Sequence, residues 1–329
     1  MKYFTHLVCS GSALRSFCLL GVLRYIYFNK MEDHIKNAAG TSMGSFFCLA
    51  FALKIPIDEL EEMIKKLIKL PDLVTISSDK FLNLFTNLGF NDSKLYLLGI
   101  KEYLQKKYNK DDISFIELSK LTGVNVYVSV TKINTGNNFI FNVNDTPNVS
   151  VLDAVAASMC IPCISQPIKI DDCYYVDGCI TNNLPFEIFN NINEDDILNI
   201  AIYVKEDYDI ADIIDPNNEI NFLTYYKQVF SIIYSNSLHA SYISKLSTLK
   251  NPLIVDNSPF KSFYNLKMTE DSIAFDIQDI DIENLILQGF RDISNYMSKI
   301  ENKNKIENKN KIQNEIENEN EINEVEVFS

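Results

Sequence analysis

The sequence predicts an α/β fold that starts with a parallel pair of strands. Strand patterns cover residues 4–9 and 35–39, and a helical pattern over residues 17–28 separates them. A second helix, almost wholly apolar over residues 45–53, follows the second strand after a turn. This order is typical of a right-handed crossover between parallel strands, which places the loops after both strands at one edge of the sheet.

The rest of the chain extends this pattern. Ser114 and Glu117 predict a capping box that opens a helix, and Gly123 predicts its end. Alternating, β-branched residues predict a strand over residues 124–131. The other predicted elements are a helical stretch over 56–119 whose middle part, residues 74–91, is left open as a cover over the site, a strand over 139–143, a short helix over 151–159, a hairpin of 167–170 with 173–176, a strand over 197–204, and long helices over 222–246 and 282–300.

The turn after the second strand contains a candidate nucleophile. It reads Gly40-Thr41-Ser42-Met43-Gly44, a serine between two glycines that let a strand and a helix approach each other closely. The amino end of the following helix carries partial positive charge, which favours an oxyanion beside Ser42. The five residues alone also fit an ordinary loop, so the assignment depends on finding a base.

Histidine is a poor choice for that base. His6 lies inside the first strand and His34 in the approach to the turn, where structural roles are more common. Only His239 follows Ser42 in the chain order of an α/β-hydrolase triad. That fold completes several strands before its serine turn, whereas only 41 residues precede Ser42 here. A histidine triad is therefore not favoured.

Asp177 is the better candidate base. It ends an apolar strand and precedes Gly178, which permits close approach of another segment. Burial there would perturb its pKa and let its carboxylate accept the Ser42 proton directly. The alternative is a plain turn, because Asp-Gly is among the commonest turn dipeptides.

Composition and charge exclude several classes of protein. The chain has 329 residues and a net charge of -14, so a nucleic-acid partner held by phosphate contacts is not expected. The start lacks a signal-peptide pattern, and the longest apolar run, over residues 46–53, is far shorter than the roughly 20 residues that span a bilayer. We therefore expect a cytoplasmic protein without a transmembrane helix, for which peripheral contact with membranes stays open.

Cysteines do not indicate disulfides or a metal site. Seven of them are scattered along the chain, which fits a reducing compartment and small buried side chains. Cys160 and Cys163 form a Cys-x-x-Cys pair, but no histidine lies nearby and Cys173 and Cys179 have the wrong spacing for a second pair. No metal is predicted.

The end of the chain is of low complexity. From residue 301 onward a Glu-Asn-Lys-Asn-Lys-Ile pattern repeats, without glycine, proline or a core pattern. It predicts a solvated, disordered tail over residues 301–329, with an exposed helix as the alternative.

Four motifs occur in a fixed order over residues 3–205. They are the loop 10–15 with Gly21-Val22-Leu23, the turn 40–44, the block 156–162, and the segment 175–178 with Asn182-Asn183-Leu184-Pro185. In this order and spacing they resemble the motifs of the patatin-like phospholipases. The resemblance implies a three-layer α/β/α sandwich with a mainly parallel central sheet, within one acyl hydrolase domain over residues 1–300.

The resemblance also implies an activity and a site. Ser42 would be the nucleophile and Asp177 the base of a dyad without histidine, in a phospholipase A-type hydrolase that cleaves fatty-acyl esters through an acyl-enzyme. Membrane phospholipid or another acyl lipid would be the substrate, met by transient contact with a membrane surface. No cofactor is implied, and the question of a protein partner stays open. The backbone amides of Gly11, Ser12 and Ala13 would form the oxyanion hole, with Arg15, Gly40, Gly44 and Gly178 as supporting residues.

The oxyanion loop departs from the glycine-rich pattern of the family. Ser12, Ala13 and Ser16 stand at positions where the family has glycine. If a positive φ is needed at the second or third position, the residue there is strained by about 1 to 2 kcal/mol. Arg15 would either contact a lipid phosphate or hold this loop. An active lipid hydrolase is one hypothesis, and a lipid-binding or regulatory relative with weakened or lost turnover is the other.

Overall fold

A sheet of eight strands, counted over the described residues, forms the centre of the protein. The computed structural model describes residues 2–67, 69, 75–77, 84, 86–203, 240–257, 266–268, 272–275 and 279–327. The strands, including those outside the central sheet, are β1 (His6–Cys9), β2 (Asn37–Thr41), β3 (Thr75–Ser77), β4 (Gly89–Asn91), β5 (Asn125–Lys132), β6 (Asn137–Phe141), β7 (Cys163–Ser165), β8 (Ile168–Ile170), β9 (Cys173–Asp177), β10 (Ile197–Tyr203), β11 (Leu253–Asp256), β12 (Leu266–Met268) and β13 (Ser272–Phe275).

Pairing in the central sheet is mainly parallel, as the resemblance implies. β1 pairs in parallel with β2 and β10, β2 with β5, and β10 with β11. β6 and the predicted hairpin of β8 and β9 add the antiparallel pairs next to β5. The hydrogen-bonded path through the sheet runs β11-β10-β1-β2-β5-β9-β8.

Helices connect and cover these strands. The predicted capping box of Ser114 and Glu117 is present, and Gly123 ends that helix with φ 73°. The α-helices of the described residues are α1 (Cys18–Phe28), α2 (Met43–Ala52), α3 (Ile57–Leu67), α4 (Leu98–Tyr108), α5 (Phe115–Thr122), α6 (Val151–Ser158), α7 (Ala240–Leu246) and α8 (Asp279–Val327).

The sheet separates two hydrophobic cores. Alternate residues of a strand point to opposite faces, and in β1 Leu7 belongs to the larger core while Val8 belongs to the smaller one. Side chains of α1, α2 and α8 fill the larger core. Tyr242 and Leu246 of α7 contribute to the smaller core. Helices therefore cover both faces, and the predicted three-layer α/β/α fold is confirmed.

The register of β5 brings two distant parts of the chain together. Thr41, at the end of β2, pairs with Ser129, and Asp177, at the end of β9, pairs with the next residue, Val130. Ser129 and Val130 also pair with β6, which occupies one edge of β5. β2 and β9 therefore lie end to end along the other edge of β5. Their carboxyl ends consequently meet, which places Asp177 beside the residue that follows Thr41.

The structure adds detail in two parts of the chain where the sequence leaves alternatives open. Residues 56–119 contain the short strands β3 and β4 as well as helices, because these strands pair with β13 and β7 from far along the chain. α8 continues to Val327 and so includes most of the low-complexity segment, for which a helix is the alternative prediction. Its Glu and Lys residues recur at helical spacings, for example Glu301 with Lys305, and nothing in its sequence interrupts a helix.

None of the helices in the described ranges combines the length and the apolar content that crossing a bilayer requires.

Candidate active site

Ser42 lies in the sharp turn, here also called the joint, between β2 and α2. Its backbone has φ 52° and ψ -131°, a conformation that residues with a Cβ rarely adopt and that costs about 1 to 3 kcal/mol. The flanking glycines make the joint possible, because a Cβ on Gly40 would lie 2.5 Å from the carbonyl carbon of Gly44. Ser42 is also the N-cap residue of α2, so its hydroxyl lies at the positive end of that helix.

The Ser42 hydroxyl meets the Asp177 carboxylate directly. Ser42 Oγ donates a hydrogen bond to Asp177 Oδ2 at 2.7 Å, and the two residues are only 6% and 1% exposed. No described histidine takes part. His6 contacts Thr5 and Asn37, and His34 packs on a tyrosine ring. His239 lies outside the described residues.

The surroundings of Asp177 make it a stronger base than an ordinary carboxylate. Burial raises its pKa to about 6, although hydrogen bonds from the Cys179 amide and from Ser42 lower it in part. The Cys179 N–H donates to Asp177 Oδ1 at 2.9 Å, which leaves Oδ2 for Ser42. The Thr131 hydroxyl donates to the Asp177 carbonyl oxygen at 2.9 Å and fixes the backbone. The carboxylate is thus oriented, and its pKa lies closer to neutrality.

Gly178 has a steric role in this arrangement. A Cβ at this position would collide with the carbonyl oxygen of Ser129 in β5. The absence of a side chain lets the chain turn away from β9 directly after Asp177 while it stays in contact with β5. The Asp-Gly turn therefore both redirects the chain and keeps the Asp177 carboxylate beside β5.

The predicted oxyanion loop lies against Ser42, but one of its three amides is occupied. A Cβ on Gly11 would lie 2.8 Å from the Ser42 Cβ. The Gly11 N–H donates to Asn183 Oδ1 at 3.1 Å, and Asn183 Nδ2 donates back to the Gly11 carbonyl oxygen at 3.1 Å. Within the described ranges the amides of Ser12 and Ala13 have no hydrogen-bond acceptor. In this structure the Gly11 amide is thus held by Asn183, and the assignment of Gly11, Ser12 and Ala13 to an oxyanion hole stays a prediction.

Asn183 is a site residue whose contact the motif did not reveal. Its segment resembles the family, yet nothing in the sequence indicates that its amide group would bind the backbone of Gly11, 172 positions away. The side chain makes two reciprocal hydrogen bonds with Gly11 and so holds the predicted oxyanion loop near Ser42.

Arg15 and the cysteines have structural surroundings. Arg15 is 5% exposed, and its carbonyl oxygen accepts a hydrogen bond from Asn257 Nδ2, which supports the loop-holding alternative over phosphate contact. Cys160 Sγ donates to the Gln166 carbonyl oxygen at 2.9 Å. The described part of the chain contains no group of three His, Cys, Asp or Glu side chains that is able to hold a metal ion.

Ala13 stands where the family has glycine, and its backbone has the strained conformation that this difference predicts. Its φ is 43°, in the left-handed region. We expect Ala13→Gly to raise the free energy of unfolding by about 0.5 to 1 kcal/mol, because relief of strain exceeds the greater backbone entropy that glycine loses on folding. Ala50→Gly, in the right-handed helix α2, should lower it by about 1 to 2 kcal/mol. Urea unfolding of both variants checks this, and a loss of stability in Ala13→Gly would contradict it.

Comparisons with known proteins give one family model and two viral relatives. A family model described as patatin-like phospholipase matches residues 7–190, more than half of the chain. A probable lipid hydrolase of Invertebrate iridescent virus 6 is 33% identical over 191 residues, which cover 57% of this chain and 63% of that protein. The chain thus spans less than two thirds of the length of that relative. An uncharacterized protein of Acanthamoeba polyphaga mimivirus is 24% identical over 251 residues, covering 71% of this chain and 81% of the other.

The fold has a counterpart among solved structures. VipD from Legionella pneumophila aligns with a TM-score of 0.56 at 12% identity, covering 90% of this chain and 67% of that chain. At this identity the likeness concerns the fold alone. The match of the family model over residues 7–190 leads to one conclusion: the chain belongs to the patatin-like phospholipase family.

Proposed function

We propose that the protein is a lipid acyl hydrolase of the phospholipase A type, which uses Ser42 and Asp177 as a catalytic dyad. The observation that carries the proposal is the 2.7 Å hydrogen bond between two buried side chains that lie 135 positions apart in the sequence. Membership of the family and the name of the viral relative support an acyl lipid as substrate. Residues 1–300 would form the acyl hydrolase domain, and residues 301–329 an extension of it.

The first half of the reaction forms an acyl-enzyme. Ser42 Oγ attacks the carbonyl carbon of the ester while its proton passes to Asp177 Oδ2. The negative charge that develops on the carbonyl oxygen is stabilised by the amides of Ser12 and Ala13 and by the amino end of α2. The bond between the carbonyl carbon and the ester oxygen then breaks, and the leaving alcohol takes the proton from Asp177.

The second half returns the enzyme to its starting state. A water molecule attacks the acyl carbonyl carbon, and Asp177 accepts one of its protons. When the bond to Ser42 breaks, the free fatty acid leaves and the proton passes back to Ser42 Oγ. A base with a pKa of about 6 suits this exchange, because it is ionised at neutral pH and still binds a proton more strongly than an ordinary carboxylate.

An assay of the full chain tests the proposal. Phosphatidylcholine vesicles and a fluorogenic acyl ester are supplied, and free fatty acid and lysophospholipid are measured by mass spectrometry. We expect both products from the wild type, and we expect an alkyl fluorophosphonate to modify the peptide that contains Ser42. The control variant Ser42→Ala should give neither result. Equal release of fatty acid by the wild type and Ser42→Ala would contradict the proposal.

The lipid-binding alternative predicts a different outcome of the same assay. It has a specific observation in its favour, since the Gly11 amide is hydrogen-bonded to Asn183 and Ala13 is strained. A protein of this kind would sediment with vesicles without releasing fatty acid, and Ser42 would not react with the fluorophosphonate. Loss of one oxyanion donor alone reduces the rate about 100- to 1000-fold, so the assay must detect turnover at that level.

The pH dependence of the reaction follows from the pKa of Asp177. The carboxylate must be ionised to accept a proton, and its pKa is raised to about 6 by burial. We therefore expect kcat/KM to be constant above about pH 7 and to fall about tenfold per pH unit below pH 6. Measurement with a soluble ester between pH 4.5 and 9 checks this, since a limb near pH 4 would show that another group, or an unshifted carboxylate, controls the rate.

A further inference from the structure

A short segment at the end of α6 contacts the backbone of both dyad residues. The Ser42 N–H donates a hydrogen bond to Ser158 Oγ at 2.7 Å, and Ser158 Oγ donates to the Ser129 carbonyl oxygen at 2.6 Å. Two residues further on, the Cys160 carbonyl oxygen accepts a hydrogen bond from the Asp177 N–H at 2.8 Å. Residues 158–160 therefore link the backbone of Ser42 to the backbone of Asp177, and the side chains of Ser42 and Asp177 take no part in these contacts.

We propose that Ser158 is a positioning residue that sets the distance between Ser42 Oγ and the Asp177 carboxylate. The inference rests on the proposed function, because it concerns the same dyad. Ser158 touches no reacting atom in this arrangement. It acts through the backbone amide of Ser42, while Cys160 holds the backbone amide of Asp177 from the same segment.

The hydroxyl group is suited to this role in a way that other small side chains are not. It has one hydrogen to donate, which goes to the Ser129 carbonyl oxygen, so a lone pair is left for the Ser42 amide. Ser158 is fully buried, so water does not replace it freely. Alanine supplies neither contact, and a cysteine thiol supplies both only weakly.

The Ser42 backbone is sensitive to the loss of this contact. Its φ of 52° is strained and persists only because surrounding contacts determine it. The carbonyl oxygen of Ser42 accepts from both the amide and the hydroxyl of Ser45, whereas the amide of Ser42 has Ser158 as its acceptor. Removal of the Ser158 hydroxyl therefore takes away the acceptor of the Ser42 amide and lets the Ser42 side chain turn away from Asp177.

Two matched variants separate positioning from a general cost of losing a buried hydroxyl. Ser158→Ala removes the acceptor of the Ser42 amide. Ser45→Ala removes a hydroxyl that is equally buried and donates to the Ser42 carbonyl oxygen at 2.6 Å, but this oxygen keeps the Ser45 amide as a donor at 2.8 Å. We expect kcat to fall about 10- to 100-fold in Ser158→Ala with KM within about twofold, and to change less than about threefold in Ser45→Ala.

The pH profile gives a readout that a merely structural role would not move. The hydrogen bond from Ser42 lowers the pKa of Asp177, so its loss raises that pKa and shifts the acidic limb of kcat/KM to higher pH. Cys179 and Tyr96, the titratable neighbours of Asp177, are unchanged in both variants. The acidic limb of kcat/KM should move to higher pH in Ser158→Ala and stay at the wild-type pH in Ser45→Ala.

Amide hydrogen exchange tests the inference independently of turnover. We expect the Ser42 amide to exchange at least tenfold faster in Ser158→Ala than in the wild type, and at the wild-type rate in Ser45→Ala. If the wild type hydrolyses no ester, the proposed function fails and the exchange rates alone decide about Ser158. If Ser158→Ala does not fold, Ser158→Cys is measured by the same criteria. The inference is overturned if the Ser42 amide exchanges at the same rate in the Ser158 variant as in Ser45→Ala. Where the wild type is active, the two variants must also have the same kcat and the same position of the acidic limb of kcat/KM.

Discussion

Asp177→Asn is expected to abolish turnover and at the same time to make the protein more stable at pH 8. The amide of asparagine does not accept a proton, so Ser42 loses its base, and kcat should fall by about 1000-fold or more. The hydrogen bonds survive the change. The asparagine oxygen accepts from the Cys179 N–H in place of Oδ1, and its NH₂ group donates to Ser42 Oγ in place of Oδ2.

The gain in stability comes from removing a buried charge. Burial raises the pKa of Asp177 from 3.8 to about 6, so the ionised form is the less favourable one in the folded protein. At pH 8 this difference corresponds to at most about 3 kcal/mol, at 1.36 kcal/mol per pKa unit. The folded state binds the proton more tightly than the unfolded state, so the penalty is absent below pH 3.8 and develops as the pH rises through 6. Asp177→Asn should therefore gain stability at pH 8 and very little near pH 4.

A second aspartate provides the control for this prediction. Asp153 lies in the first turn of α6, and its carboxylate is 2.7 Å from the Lys94 ammonium group. Asp153→Asn should lower the free energy of unfolding at pH 8 by about 0.5 to 1 kcal/mol, because it removes an ion pair and a favourable charge at a helix start. Urea unfolding at pH 8 and pH 4.5 compares the two variants. Lower stability of Asp177→Asn at pH 8 would show that the carboxylate stabilises the fold.

Local patterns predict those parts of the site that depend on a few neighbouring residues. The serine turn has its glycines at fixed spacing, and the α5 helix has both its capping box and its terminal Gly123. Asp177 is predicted because it ends a strand and precedes a glycine, within a motif that resembles the family. The predicted parallel pairing of the first two strands follows from the single helix between them.

Contacts between distant segments are the parts that the sequence does not reveal. Asn183 binds Gly11, and Ser158 binds Ser42, across 172 and 116 positions of the chain. Such hydrogen bonds depend on the register of β5 and on the end of α6, and neither is encoded near the residues that it brings together. The hydrogen bond that holds the Gly11 amide has the same origin, because its acceptor is a side chain from another motif.

Gly44→Ala is expected to lower both activity and stability strongly, because it disturbs the packing of α2 against β1. A Cβ at Gly44 would lie 2.5 Å from the Cys9 carbonyl oxygen and 2.7 Å from that of Ser10. Both atoms belong to the backbone, at the end of β1 and the start of the oxyanion loop, and backbone in a sheet cannot turn aside as a side chain can. α2 must move outward, and Ser42 at its start moves with it. We expect a loss of about 2 to 3 kcal/mol and a decrease in kcat of about 100-fold.

Gly99→Ala is the matched control, since Gly99 is the second residue of α4 as Gly44 is the second residue of α2. The nearest atom to a Cβ at Gly99 is Cγ of Met63, at 3.0 Å, on a flexible side chain that is able to shift. Alanine is a better helix former than glycine by about 1 kcal/mol, which offsets this rearrangement. Gly99→Ala should therefore keep wild-type kcat and stability within about 1 kcal/mol. If both variants behave alike in ester hydrolysis and urea unfolding, the contact of α2 with the end of β1 does not control the position of Ser42.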